Sequence, residues 1–173
     1  MRRLQGLAPH VADDTRVLVL GSFPGVASLQ AQQYYGHPRN QLWRLLGESF
    51  ALPLAQADYA TRLRLLLSKR IGLWDVISET QRRGSLDSAI RDPRPSDLLP
   101  LLAGLLQLRT IAFNGGTAAK IGLRQLGVDA ERYRILSLPS SSPAYTLAYA
   151  GKLAAWAALS DEYADDLDGT PYD

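Results

Sequence analysis

Four short apolar runs, separated by longer stretches of helical periodicity, constrain the fold of this chain more than any other feature. The apolar runs cover residues 16–20, 71–77, 110–114 and 133–138. The helical patterns cover residues 40–49, 59–69, 96–106, 116–127 and 143–165. Strands that alternate with helices indicate a parallel sheet that is covered on both faces. We therefore expect an α/β fold: a single-domain three-layer α/β/α arrangement with a short central parallel sheet.

The composition is that of a globular protein and excludes several classes. The 173 residues suffice for one well-buried core without stabilising cross-links. Because the chain has no cysteine, a disulfide framework and thiolate chemistry are excluded. No apolar run approaches the ~20 residues that cross a bilayer, and the first residues lack the apolar core of a signal peptide. We expect a cytoplasmic monomer that does not bind membranes.

The charges are distributed unevenly along the chain. The net charge is +2, from 19 Lys+Arg and 17 Asp+Glu, and six of the acids lie in residues 161–173, which hold no Lys or Arg. The rest of the chain therefore has 19 basic against 11 acidic residues. Such a basic body suits a polyanionic partner, although a basic surface that only aids solubility fits equally well. We expect a domain of residues 1–163 and an acidic tail of residues 164–173.

Glycine, proline and small polar residues follow each predicted strand. These segments are residues 21–25, 78–80, 114–116 and 139–143. In parallel sheets, ligands bind beyond the carboxyl ends of the strands. We therefore expect the four segments to form one pocket at one edge of the sheet.

The first of these segments has the features of a site for a flat, polar ligand. Glycines in residues 21–25 allow a sharp turn and a close approach of the backbone to a ligand. Tyr34 and Tyr35 follow and could stack on a nucleobase. Asn40 could hold a water molecule with its carbonyl and donate with its NH2 group, or it could only cap the helix that follows.

The other strand ends offer weaker candidates. Asn114 could point into the cleft or form an Asn-Gly turn, and these two interpretations are close to even. Ser142 is predicted to cap a helix that starts at Pro143, which would leave Ser140 and Ser141 free to hold a phosphate. A plain loop of the same composition is the alternative interpretation.

Four arginines lie in the connection formed by residues 81–94, which suits contact with a phosphate backbone. Arg82 and Arg83 are the candidates that we single out. The alternative is a solvated loop in which aspartates pair with the arginines. We find no cluster of Cys, His or Asp with the spacing of a metal site, so no metal is expected.

The motifs resemble those of the hypoxanthine-DNA (deoxyinosine) glycosylases, a branch of the uracil-DNA glycosylase superfamily. Residues 21–25 (GSFPG) and 33–43 (QYYGHPRNQLW) resemble the first motif of that branch. Residues 138–144 (LPSSSPA) are similar to the second motif, and residues 84–90 (GSLDSAI) to its middle segment. The resemblance implies a uracil-DNA glycosylase fold, and it implies a monofunctional enzyme without metal or cofactor.

The resemblance also implies roles for individual residues. Phe23 stands where mismatch-specific relatives place a water-activating Asn or Asp, so the role passes to the asparagine of the His-Pro-Arg-Asn segment, which is Asn40. Leu138 stands where many relatives have a histidine that stabilises the departing uracil. Ser142 replaces a bulky residue that some relatives insert into the base stack.

The base would be held by residues of the first motif and by Asn114. Phe23, with Tyr34 or Tyr35, would sandwich it, while Asn114 and the backbone of Gly21, Ser22 and Phe23 would read its edge. DNA contacts are expected from Arg82, Arg83, Ser140, Ser141 and Ser142.

The expected reaction is hydrolysis of the N-glycosidic bond of a deaminated base, with hypoxanthine ahead of uracil. The expected partner is double-stranded or single-stranded DNA that contains a damaged base. Two alternatives remain open: a uracil or G·T-mismatch glycosylase, and a non-catalytic protein that binds DNA or a nucleotide.

Overall fold

The computed structural model of the chain describes residues 2–168, which contain two β-sheets. The strands are β1 (Leu4–Gln5), β2 (Val17–Gly21), β3 (Ile71–Asp75), β4 (Ile77–Gln81), β5 (Arg91–Pro95), β6 (Thr110–Asn114) and β7 (Arg134–Leu138). The helices are α1 (Val26–Ala31), α2 (Leu42–Phe50), α3 (Tyr59–Ser68), α4 (Leu98–Gly104), α5 (Gly116–Leu126) and α6 (Tyr149–Trp156). Short 3₁₀ stretches cover Asp87–Ala89, Gly127–Arg132 and Ala157–Asp168.

The central sheet is parallel and has the order β3-β2-β6-β7. Strand β2 is buried along its whole length because both faces of the sheet are covered. Val17 and Val19 pack on one side with residues of α2, α3 and α6. Leu18 and Leu20 pack on the other side with residues of α4 and α5. The predicted three-layer α/β/α fold with a parallel sheet is thereby confirmed.

The register of the parallel strands aligns their carboxyl ends. Gly21 at the end of β2 lies opposite Asp75 of β3, and Asn114 at the end of β6 lies opposite Leu138 of β7. Since neighbouring strands lie ~4.8 Å apart, the order Asp75, Gly21, Asn114, Leu138 runs along one edge of the sheet. This edge carries the candidate site.

The second sheet is antiparallel, with the order β1-β4-β5, and the sequence patterns did not predict it. The apolar run 71–77 is divided because the chain leaves the central sheet after Asp75 and continues as β4. Strand β5 has the sequence RDPRP and is exposed at every residue, so it shows no apolar alternation. The predicted loop 81–94 is therefore partly a strand at a sheet edge.

The last helix is shorter than predicted and begins at Tyr149 rather than near Pro143. Residues 143–148 are all exposed and therefore have no apolar face that could pack a helix against the core. They begin with a turn in which the Tyr145 N–H donates to the Ser142 carbonyl at 3.1 Å. The short helix α1 was also not predicted.

The predicted boundary after residue 163 falls inside the 3₁₀ stretch Ala157–Asp168. Residues 169–173 of the predicted acidic tail lie outside the described residues. Within residues 2–168, no helix combines the length and the apolar character needed to span a bilayer.

Candidate active site

A chain of hydrogen bonds joins three side chains at the carboxyl edge of the central sheet. Asn114 Nδ2 donates to Ser141 Oγ at 2.9 Å, and the Ser141 hydroxyl donates to Asn40 Oδ1 at 2.8 Å. Asn114 Oδ1 also accepts from the Ser141 N–H at 2.9 Å. The chain connects the end of β6, the loop after β7 and the start of α2. The structure thus brings together Asn40, Asn114 and Ser141, as the sequence predicted.

The orientation of the Asn40 amide follows from its partners. Asn40 Oδ1 accepts from the Leu42 N–H at 3.0 Å as well as from Ser141. A backbone N–H can only donate, so the oxygen must face it, and both lone pairs of that oxygen are then used. The Asn40 NH2 group has no hydrogen-bond partner among the described residues. Asn40 therefore satisfies the first N–H of α2, whose N-cap is Gln41, and presents a free donor. Its oxygen has no lone pair left for the water that we expected the carbonyl to hold.

The side-chain amide of Asn114 uses more of its hydrogen-bonding capacity than that of Asn40. Its two amide hydrogens are directed to Ser141 Oγ and to Tyr35 Oη, the latter at 3.3 Å. Its oxygen accepts one hydrogen bond and keeps one lone pair. Asn114 is 8% exposed. The Asn114 oxygen can therefore accept a hydrogen bond from an N–H group of a base, whereas the Asn114 NH2 group is not free to donate to it.

Gly21 brings Tyr35 and Asp75 next to each other. A Cβ at Gly21 would lie 2.6 Å from Asp75 Oδ1 and 2.9 Å from Tyr35 Oη, so only glycine leaves room for both groups. Tyr35 has a φ of +52°, a backbone conformation that is rare for a residue with a side chain. Its ring also packs edge-on against Trp43, with ring centroids 6.4 Å apart.

Asp75 was not among the residues predicted from the sequence. It is 5% exposed, and its Oδ2 has no hydrogen-bond partner within the described part of the chain. Burial, followed by the nearby charge of Asp87, raises the pKa of Asp75 to about 7, although Arg82 acts in the opposite direction. The sequence signal for Asp75 was a single acidic residue inside the apolar run of residues 71–77.

Burial alters the roles expected for two aromatic residues. Tyr34 is 5% exposed, and its hydroxyl donates to the Ala8 carbonyl at 2.5 Å. Phe23 is 6% exposed and packs in the core beside α4 and α5. Both rings are therefore largely covered in this structure, and the stacking of a base between them stays a prediction. Tyr35 is half-buried and is the remaining aromatic candidate.

Arg82 is also placed differently from the expectation. It is 5% exposed, and it donates to the carbonyls of Pro24 and Gly84. Its guanidinium lies 5.2 Å from the centre of the Phe23 ring. Because these donors point inward, Arg82 braces the loop of residues 21–25 and is not available to a phosphate.

Ser22 supports the same loop from the other side. Its hydroxyl donates to Asp87 Oδ1 at 2.6 Å. The N–H groups of Ser22 and Phe23 donate no hydrogen bond to the residues that the structure describes. These two backbone donors are consistent with the predicted reading of a base edge.

The other three arginines of residues 81–94 are all exposed, and two of them have partners within the protein. Arg83 is exposed and makes no hydrogen bond or ion pair with any residue in the range 2–168. Arg94 pairs with Glu79 at 3.0 Å, and Arg91 donates to the carbonyls of Ser88 and Ile90. The alternative of a loop with internal pairing is thus partly realised, and Arg83 is the arginine of this connection whose side chain has no partner within residues 2–168.

The serine loop after β7 lacks the helix start that its predicted role required. Ser141 is fully buried, and the Ser140 and Ser142 hydroxyls accept hydrogen bonds from N–H groups of their own loop. The loop is instead held by Lys152, which is buried and was not predicted. Lys152 Nζ donates to the Ser142 carbonyl at 3.1 Å and to Gln41 Oε1 at 2.9 Å.

A cavity of ≈ 350 Å³ borders the segment that carries Asn40. Aromatic and cationic side chains line it, among them Tyr34, Tyr35, Trp43, Tyr59, Arg44 and Arg62. The concave surface therefore extends beyond the pocket that we predicted from the four segments after the strands. No group of three or more His, Asp or Glu side chains that could bind a metal occurs among the described residues.

Comparison with known proteins places these residues in a family. The chain matches the family described as the Uracil DNA glycosylase superfamily over residues 8–167. A protein of Methanosarcina barkeri (strain Fusaro / DSM 804), named hypoxanthine DNA glycosylase, is 36% identical over 155 residues, covering 88% of this chain and 95% of the relative. A protein of Methanosarcina acetivorans with the same name is 42% identical over 139 residues, covering 79% and 85%.

A solved structure shows the same fold. The solution NMR structure of a candidate uracil DNA glycosylase from Methanosarcina acetivorans superposes with a TM-score of 0.79 at 36% sequence identity. The match covers 91% of this chain and 96% of that chain. The resemblance predicted from the motifs is confirmed, and the chain belongs to the uracil DNA glycosylase superfamily.

Proposed function

We propose that the protein is a DNA glycosylase that removes hypoxanthine by hydrolysing the N-glycosidic bond. The observation that carries the proposal is the free NH2 group of Asn40, held in place by Ser141 and the Leu42 N–H at the carboxyl edge of the sheet. The two Methanosarcina relatives named hypoxanthine DNA glycosylase support this choice of base. The reaction consumes only water and needs no metal or cofactor.

The damaged base must leave the helical stack before it can reach this edge. Extrusion costs a few kcal/mol, and a mismatched or damaged pair lowers that cost. Asn40 would donate to the oxygen of the attacking water and hold it beside C1′ of the sugar. The transition state has the character of a sugar cation, so correct placement of the water matters more than its deprotonation.

The base edge would be read by groups that the fold leaves unpaired. The N–H groups of Ser22 and Phe23 can donate to a base oxygen, and the free lone pair of Asn114 Oδ1 can accept the N1–H of hypoxanthine. Adenine has no hydrogen at N1 and has an amine in place of the oxygen. It would leave buried groups unmatched at a cost of about 1–3 kcal/mol each.

We propose that DNA, double-stranded or single-stranded, lies across the exposed end of the second sheet, where Arg83 is free. The basic balance of residues 1–160 supports a polyanionic partner. Hydrolysis without a lyase step is proposed because Lys152, the lysine nearest Ser142 and Gln41, is buried and hydrogen-bonded. A monomeric state and a cytoplasmic location remain predictions.

A second candidate is a uracil or G·T-mismatch glycosylase, which the likeness to the candidate uracil DNA glycosylase structure favours. The opposing observation is Leu138, which is buried and cannot donate to a departing uracil oxygen. A non-catalytic DNA-binding protein would share the same surface but would show no turnover.

We expect hypoxanthine to be released faster than uracil, and adenine not measurably. The measurement is the initial rate on identical duplexes that differ only in the base at one position. A rate on uracil tenfold above that on hypoxanthine would favour the second candidate. Absence of turnover on every substrate would favour the non-catalytic alternative.

Replacing Asn40 tests whether its free amide is the catalytic group. Asn40→Ala should lower the single-turnover rate by about 10²–10³, the usual effect of removing one positioned donor. Asn40→Asp keeps the oxygen that accepts from Leu42 and Ser141, so it should fold normally and yet lose a similar factor. If Asn40→Asp retains full activity while Asn40→Ala does not, the oxygen and the helix cap are what matter.

Replacing Arg83 tests the proposed DNA surface. Arg83→Ala should reduce the slope of log affinity against log salt by about 0.9, the value for one phosphate contact on duplex DNA. The matched control is Arg124→Ala, because Arg124 is exposed near the far end of α5, away from the carboxyl edge of the sheet. Equal slopes for the wild type and Arg83→Ala would place the DNA on another face.

A further inference from the structure

Asp75 is a buried acid that the mechanism above does not use. Its backbone carbonyl accepts from the Ser96 hydroxyl at 2.6 Å, which fixes the end of β3. Its side chain makes no hydrogen bond or ion pair with the described residues, and Oδ2 is fully enclosed. A charged carboxyl that is buried without hydrogen-bond donors lowers the stability of the fold. Its presence at this position therefore calls for an explanation other than stability.

The groups that surround Asp75 come from two segments. Tyr34 and Tyr35 approach from the segment before α2, and Arg82 and Asp87 approach from the region after β4. The Arg82 guanidinium donates to carbonyls and not to Asp75. Burial and the negative charge of Asp87 both raise the pKa of Asp75, to about 7. A large share of the protein therefore carries a protonated Asp75 at neutral pH.

The strand order determines which part of a bound base Asp75 can meet. Asp75 ends β3, at one side of the row of strand ends, while Asn40 is joined through Ser141 to the loop after β7, at the other side. A purine with N9 and the sugar near Asn40 directs its six-membered ring toward β2 and β3 when its long axis follows the row of strand ends. The group of hypoxanthine that lies farthest from N9 on that ring is the N1–H and O6 edge.

We propose that Asp75 is a catalytic acid whose carboxyl group donates its proton to O6 of hypoxanthine as the glycosidic bond breaks. This inference rests on the proposed function of the same site. Gly21 is what places Asp75 beside the polar groups of the site, since the absence of a side chain there leaves Asp75 Oδ1 and Tyr35 Oη at one point of the strand edge, and Tyr35 Oη in turn accepts from Asn114.

The step balances without any further reagent. The C1′–N9 bond breaks, and its electron pair passes to the purine, where conjugation from N9 through C4 and C5 delocalises the charge onto O6. The Asp75 proton moves to O6 and gives a neutral base. Water adds to C1′ and releases a proton to solvent, from which the Asp75 carboxylate is protonated again.

The neighbouring groups are poorer proton donors. Burial, together with Asp75, raises the pKa of Tyr35 far above its usual range, so its hydroxyl can donate a hydrogen bond but does not release a proton readily. Asn114 cannot ionise. An acid with a pKa close to the working pH transfers a proton most effectively, and this contribution is typically about 10²–10⁴ in rate.

The test compares single-turnover excision of hypoxanthine by the wild type and by Asp75→Asn between pH 5.5 and 8. The wild-type rate should be constant at low pH and fall as the pH rises through about 7. Asp75→Asn should be slower by at least about 10² at pH 5.5, and its rate should not show this decline. DNA affinity should be unchanged, because asparagine preserves the shape of the side chain.

The matched control is Asp97→Asn, which makes the same change at an exposed position whose side chain caps no helix. It should retain the wild-type rate and pH profile. A wild-type rate that does not fall above pH 7, or an Asp75→Asn variant that keeps the pH-dependent decline, would overturn the role of Asp75 alone. A wild type that does not release hypoxanthine at any pH would overturn the proposed function and this inference together.

Thermal unfolding separates a catalytic role from a structural one. The pKa of Asp75 is higher in the folded than in the unfolded chain, so its contribution to stability is greatest below the unfolded pKa of ~3.9 and is lost as the pH rises through about 7. Asp75→Asn should therefore have a higher Tm than the wild type at pH 8 and a similar Tm at pH 4. A lower Tm at both pH values would indicate that Asp75 mainly supports the fold.

Discussion

The hydrogen bonds that Ser141 makes to Asn40 and Asn114 are the interaction on which the site depends. Ser141 is fully buried and uses its N–H and its hydroxyl to connect a strand end to the start of α2. If this serine were replaced by alanine, the Asn40 oxygen would lose one donor and Asn114 would lose one acceptor. A single hydroxyl group thus joins Asn114 to Asn40, whose NH2 group is the amide donor left free among these three residues and is directed by the Leu42 N–H bond to the Asn40 oxygen.

The site combines a polar hydrogen-bonded chain with buried apolar and aromatic side chains. Leu138, Phe23 and Tyr34 are all less than 7% exposed. Burial strengthens electrostatic interactions. It also removes the carboxylate from water, and this loss of solvation is the main reason why the pKa of Asp75 is raised to about 7. The same packing that stabilises the sheet therefore adjusts the chemistry at its edge.

The central sheet and the position of the site could be predicted from the sequence, whereas the second sheet and several side-chain directions could not. β2 and β6 are apolar runs that end in turn residues, and their pattern does not depend on distant contacts. β5 forms only because β4 offers it an edge, and its exposed RDPRP sequence has no periodicity. Arg82 and Arg83 are adjacent and identical in type, so only the fold reveals that one is buried and the other is exposed.

That adjacency has a mechanical consequence. Arg82 grips the Pro24 carbonyl, while Arg83, one peptide bond away, faces solvent. The segment that carries the exposed Arg83 is therefore tied to the loop that precedes α1 by the hydrogen bonds of one buried guanidinium. Loss of the Arg82 side chain would leave the Pro24 and Gly84 carbonyls without their donor and would release the loop beside Gly21 from the second sheet.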